Sequence, residues 1–215
     1  MEFRKDIWFS PRKILLRHAQ EEEKLGDKIN EGKYKILREA RAVAIMLLGI
    51  EKRQGREYWL QLVDPKEHSP DIRTATHMPE TDRWLAYQDV EVVTLESHSP
   101  EDVDDFLKRT KLSAKKSYDR QTIILCHVDK DIRTKQWKDI SASLAGVEKK
   151  NDVYLLGRTD PQALKYQLAR IHPQLDHIVK FDAMEEARKH ARDTMRFERG
   201  TVPKDRREDV NHEPF

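Results

Sequence analysis

Three features of the chain predict an α/β fold, with a mixed central β-sheet and helices on both of its faces. An apolar stripe of helical period runs through residues 31–50, three strand-like runs follow it closely, and the remainder alternates strand-like with helix-like patterns. Consecutive strands favour an antiparallel meander, whereas the later alternation favours parallel neighbours.

Taken in order, the first 28 residues read as a charged helical arm with few apolar positions. In 31–50, Ile36, Leu37, Ala40, Val43, Ala44, Leu47 and Leu48 follow the i, i+3, i+4, i+7 rule and form one wide stripe. At 100° per residue, Glu39 falls at the edge of that stripe. "YWLQLVDP", "DIRTATH" and "DVEVVTLE" are rich in β-formers and bounded by turn residues, so each is a strand. A helix is expected next, with Ser99 as N-cap and Pro100 at its first position, and Val103, Phe106, Leu107, Thr110 and Ala114 on one face. "QTIILCHV" is apolar enough for a central strand. "TKQWKDISASLAG" is a helix stopped by Gly146 and "DVYLLGRT" another strand. "DPQALKYQLARIHP" reads as a helix capped by Asp160, "HIVKF" as a short strand, and "MEEARKHARDTMRFE" as a polar helix. The domain division is therefore an arm over 1–28, one α/β domain over 29–198, and a polar, flexible tail over 199–215.

Composition narrows the function. The balance of 41 basic and 39 acidic side chains gives a net charge of +2, and neither demands nor forbids a nucleic-acid partner. No apolar run nears the ~20 residues of a membrane span, and no cleavable leader pattern is present, so cytoplasmic residence without membrane association is the expectation. Cys126 is the only cysteine, which excludes internal disulfides and a cysteine-based zinc cluster. Seven glycines fall in neither GxGxxG nor GxxxxGK[ST] spacing, and there is no GxSxG elbow. None of the nine histidines has tight metal-ligand spacing; His172 and His177 are expected at the surface or as caps. Cys126 and His127 diverge to opposite strand faces and cannot form a dyad.

The remaining oddity is acidic. Glu91 lies inside "VEVVTL", on the strand face it shares with Val93 and Leu95, where a carboxylate needs a compensating partner. Asp71 opens the preceding strand directly after Pro70. If those strands are antiparallel neighbours, the two carboxylates meet, and two close carboxylates need a cation between or beside them.

Pro70-Asp71, followed by Glu91-Val92-Val93 on the next strand and Glu39 on the preceding helix, resembles the PD-(D/E)xK nuclease superfamily. The resemblance covers about 31–128 and implies a restriction-endonuclease-like core of order αβββαβ, here with a C-terminal αβ extension. It also implies a metal-dependent DNA endonuclease that hydrolyses phosphodiesters with Mg²⁺ (or Mn²⁺) held by Asp71, Glu91 and Glu39. Val93 stands where the family has its lysine; a lysine recruited from the following helix is the implied substitute, and Lys111 is the candidate. Thus Asp71, Glu91 and Lys111 form the expected catalytic set. Lys108, Arg109, Lys115, Lys116 and Arg120 form a basic run suited to DNA phosphates, with Tyr118 and Trp137 as stacking partners. One rival reading keeps the fold as an inactive module that binds nucleic acid or a protein partner. Another is a ligand-sensing or assembly subunit with Gly157-Arg158-Thr159-Asp160 at a strand-to-helix turn. Whether the chain works alone, as a homodimer, or beside a partner held by its arm or tail is left open.

Overall fold

The structure, a computed structural model, describes residues 7–63, 71–78, 83–113, 118–119, 121–129, 134–149, 151–160 and 163–196. Its described elements run β1 (Ile7–Phe9), α1 (Pro11–Leu25), α2 (Lys35–Gln54), β2 (Tyr58–Leu62), β3 (Ile72–Met78), β4 (Arg83–Leu95), α3 (Val103–Thr110), β5 (Ile123–Val128), α4 (Thr134–Leu144), β6 (Val153–Asp160), β7 (Lys165–His172), β8 (Asp176–Asp182), α5 (Ala183–Ala187) and β9 (Thr194–Arg196), with two short 3₁₀ turns between α1 and α2. The nine strands form one sheet in the order β8-β7-β6-β5-β4-β3-β2-β1-β9. Strands β4, β5 and β6 are parallel; the neighbours on either side are antiparallel.

Strand alternation sorts the apolar side chains into two cores. Val90, Val92, Ile123, Leu125, Tyr154, Leu156, Tyr166 and Leu168 face α1, α2 and α5. Leu95, Ile124, Cys126, Val128, Leu155, Ala169 and Ile171 face α3 and α4. Helix α2 buries a broader face than the stripe alone, from Leu37 to Ile50, and ends at Gly55 in the left-handed conformation (φ 68°) that glycine tolerates best. Gly49 is needed for contact: a Cβ there would lie 2.8 Å from the Phe181 ring, so α2 and β8 approach more closely than a side chain permits.

Several expectations are corrected. The N-terminal helix is docked: Ile14, Leu15 and His18 are buried against α2, and β1 pairs with β2 and β9. Ser10 caps its start, its hydroxyl accepting from Lys13 N–H at 3.1 Å. Helix α3 begins later than Ser99-Pro100 suggests, with Asp102 at its N-cap. The expected helix after Asp160 is strand β7, antiparallel to β6 and β8. Leu164, Leu168 and Ile171 satisfy a helical spacing, but the same segment alternates Tyr166 and Leu168 against Ala169 and Ile171 on two buried faces, and two partner strands settle the choice. The C-terminal part is accordingly an antiparallel β6-β7-β8 meander in place of continued αβ alternation. The polar helix after β8 shrinks to α5, capped by the Asp182 carboxylate, and the chain returns as β9 on the opposite sheet edge. The tail over 199–215 lies outside the described residues. Among the described residues, no helix is long and apolar enough to cross a membrane.

Candidate active site

Asp71 stands immediately before β3, whose Ile72 pairs with Val90 of β4. This antiparallel register brings the Asp71 carboxylate to Val92, whose backbone N–H donates to Oδ2 at 2.9 Å. Val92 follows Glu91, so Asp71 is anchored to the peptide that joins Glu91 to Val92. The peptide N–H fixes one carboxylate oxygen of Asp71 without supplying a countercharge.

Glu91 is 8% exposed and lies within β4 on the α3 side of the sheet. Its compensating cation is Lys111, at the C-terminal cap of α3, whose Nζ donates to Oε2 at 2.8 Å. Burial pushes Lys111 toward the neutral amine, but the Glu91 hydrogen bond and charge outweigh it and hold the ammonium above the ordinary lysine range. The lysine absent from position 93 is thus replaced in space by one placed 18 residues later in the chain. Helical periodicity alone puts Lys111 only beside the Leu107 edge; the α3–β4 packing carries it to Glu91.

Glu39 enters from α2. It is 8% exposed, with Lys35 Nζ 3.1 Å from Oε1 one helical turn earlier. Burial and the neighbouring Asp71 charge raise its pKa to about 7, against the opposing pull of Lys35 and Lys111. Glu39 therefore feels the Asp71 charge, and the partly buried Lys111 acts on Glu91, Asp71 and Glu39.

Two further residues close the site. Lys111 Nζ lies 5.9 Å and Lys149 Nζ 5.0 Å from the centre of the half-buried Tyr118 ring, so two ammonium groups share one aromatic face or edge. Lys149, just after α4, also donates to the Lys111 carbonyl at 3.1 Å. Burial raises the Tyr118 pKa, and Glu91 and Asp71 add to that shift while Lys111 opposes it. Lys149 has no sequence signature: it lies in a polar loop far along the chain and only the β5–α4–β6 crossover brings it here.

Of the expected DNA-facing run, Lys108 and Arg109 are among the described residues. Lys108 donates to Asp104 at 3.3 Å and to Ser143 at 2.6 Å. Arg109 makes a bidentate pair with Glu101 at 2.9 and 2.6 Å. Both cations are satisfied within the protein; Lys115, Lys116 and Arg120 lie outside the described residues. Trp137, 1% exposed, is a core residue between α4 and the sheet, which removes it as a stacking partner. His172 is buried, its Nε2 donating to the Lys149 carbonyl at 2.6 Å, and is not a surface residue. Residues 157–160 belong to β6 and β7 begins at Lys165, so among the described residues no helix N-terminus lies there to receive a phosphate. Burial pushes the Cys126 thiol up to about 12, leaving it inert.

The donor set can be tested against the implied metal. Among the described residues, no group of three or more His, Cys, Asp and Glu side chains is arranged to hold one ion. The two carboxylates Asp71 and Glu91 still fit the habit of Mg²⁺, which is commonly held by one or two carboxylates and completes its shell with water and substrate phosphate. Glu39 is raised first by its burial and then by the Asp71 charge. No family model matches the chain, and no curated protein or solved structure matches it.

Proposed function

We propose that the protein is a metal-dependent phosphodiesterase of the nuclease type acting on DNA, with Asp71 and Glu91 as the residues that hold Mg²⁺ (or Mn²⁺). The observation that carries this reading is the meeting of Asp71, Glu91 and Lys111, from three separate elements, at one place in the sheet. The element order α2-β2-β3-β4-α3-β5, with β4 and β5 parallel, supports the resemblance to the PD-(D/E)xK superfamily. When bound, the ion supplies Lewis-acid polarisation of the phosphodiester and activation of water. Lys111 places a partly buried positive charge beside Glu91, where negative charge developing on the phosphate is stabilised. Val92 N–H keeps the Asp71 carboxylate oriented. Glu39, titrating near 7, is suited to take up a proton at neutral pH or to join the cation as a further carboxylate.

The test is incubation of supercoiled plasmid with Mg²⁺ or Mn²⁺ and the purified protein, beside Asp71→Ala. Nicking that disappears in the variant is the expected result. Absence of nicking by the wild type under both ions, with salt-sensitive DNA binding retained, overturns the catalytic reading in favour of the inactive nucleic-acid-binding module, for which the substitution at Val93 is the reason.

A further inference from the structure

A lysine ammonium sits at the end of a flexible four-carbon stem, so one contact with a carboxylate places it only loosely unless the main chain beneath it is held. Lys111 is the C-cap of α3, where a helix runs out of intrahelical donors for its carbonyls. Its N–H donates to the Leu107 carbonyl at 3.0 Å, and Leu112, 6% exposed, follows it into the core under α3 and α4. Its own carbonyl accepts from Lys149 Nζ at 3.1 Å, 38 residues later in the chain. A cation bonded to a carbonyl at the end of a helix also complements the helix dipole.

Lys149 is itself held from a third element. Its carbonyl accepts from Nε2 of His172 on β7 at 2.6 Å, and His172 is 2% exposed. Two residues on, the buried Asn151 donates through Nδ2 to the carbonyls of Asp119 at 2.7 Å and Thr122 at 2.9 Å. The segment after α4 is thus bonded to β7 on one side and to Lys111, Asp119 and Thr122 on the other. The Tyr118 ring neighbours both ammonium groups, 5.0 Å from Lys149 Nζ and 5.9 Å from Lys111 Nζ. Lys149 therefore reaches the acidic site through the backbone of Lys111, and Lys111 in turn bonds Glu91 at 2.8 Å.

We infer that Lys149 is a positioning residue: by capping the end of α3, it sets where the Lys111 ammonium stands relative to Glu91. Its importance for cleavage rests on the phosphodiesterase reading, but the placement itself belongs to the metal-free protein and is read without cleavage. A displacement on the order of 1 Å at a group that stabilises developing charge costs about 10²-fold in rate. The bond is to a neutral carbonyl, so a guanidinium at position 149 replaces it, whereas a methionine of similar length cannot donate.

The experiment compares the wild type with Lys149→Met, Lys149→Arg, Lys111→Met and the Lys111→Met/Lys149→Met pair, each shown to be folded by urea denaturation. Two readouts are taken: nicking kinetics of supercoiled plasmid with Mg²⁺, and the acylation rate of the Lys111 amine in the metal-free protein, followed by mass spectrometry. Lys149→Met is expected to lower kcat about 10–100-fold with KM within about twofold, and Lys149→Arg to recover most of it. On the Lys111→Met background, losing Lys149 lowers kcat by less than about twofold more, because the two act as a unit. Lys111 is acylated faster in Lys149→Met than in the wild type, as its bond to Glu91 loosens, and at the wild-type rate in Lys149→Arg. A raised KM with unchanged kcat and a DNA-binding salt slope smaller by about one makes Lys149 a direct phosphate contact and overturns the inference. Unchanged kcat in a wild type that nicks, or unchanged acylation of Lys111 in Lys149→Met, overturns it as well. A wild type that does not nick, with faster acylation in Lys149→Met and its reversal in Lys149→Arg, upholds the positioning role and removes the phosphodiesterase reading alone.

Discussion

Two clusters of ionised side chains are built on the same sheet and behave differently. At the β6-β7-β8 end, Arg170, with its side chain 6% exposed, bonds Asp176 through Nε at 2.8 Å and through Nη2, and Asp152 through Nη1 at 3.3 Å. The guanidinium contacts each acid directly and stitches β7 to β8 and to the entrance of β6. At the β3-β4 end, Lys111 bonds Glu91 and lies near the Tyr118 ring; Asp71 accepts from a neutral N–H, and Glu39, paired with Lys35, is raised to about 7, first by burial. The first cluster is closed, because its cation bonds every carboxylate in it. In the second, Lys111 bonds Glu91 while Asp71 and Glu39 are held by other partners, and that looser arrangement separates a candidate site from a structural tie.

The largest expected effect breaks the closed cluster. Arg170→Met leaves Asp152 and Asp176 without their cation and costs about 3–5 kcal/mol, read by urea denaturation. Added Mg²⁺ does not restore that loss. Lys111→Met works in the opposite sense: plasmid nicking falls by about 10²–10³, while stability drops less and is partly recovered by Mg²⁺, because Glu91 gains a new countercharge. Equal Mg²⁺ responses in the two variants would erase the distinction between the clusters.

Glu39 provides the next effect. Its folded-state pKa, about 7, lies above the ordinary carboxylate value of 4.5, so the folded protein binds more protons than the unfolded chain between those limits. Metal-free stability therefore declines as pH rises from 4.5 to 7, by up to about 3 kcal/mol, and levels off above 7. Glu39→Gln flattens that slope, which denaturant midpoints at pH 5 and pH 8 will show. The smallest effect is assigned to Arg109→Gln: its bidentate partner is the surface Glu101, and DNA affinity and salt dependence should stay at wild-type values in anisotropy titrations.

The same contrast marks what was legible. Around β3 and β4, strong β-branched runs and short connections left few pairings, and Asp71, Glu91 and Lys111 were all marked by residue type and order. Around β7, a segment rich in Leu, Ala and Gln suited two periods equally, and its Asp-Pro entry imitated a helix start. Lys149 carried no local signal, since its partner, the Lys111 carbonyl, is separated from it by 38 residues.

By itself, the sequence determined an α/β chain with a helix-meander-helix-strand order and acidic residues on the helix and on the second and third strands after it, because apolar periodicity and β-branched content are local properties. Only the tertiary structure decided that Lys111 answers Glu91, that Lys108 and Arg109 turn to protein partners, and that 165–172 is a strand. Each of those outcomes depends on which distant surface is opposite, and the free energy of a buried charge or an unpaired backbone is set by that neighbour rather than by its position in the chain.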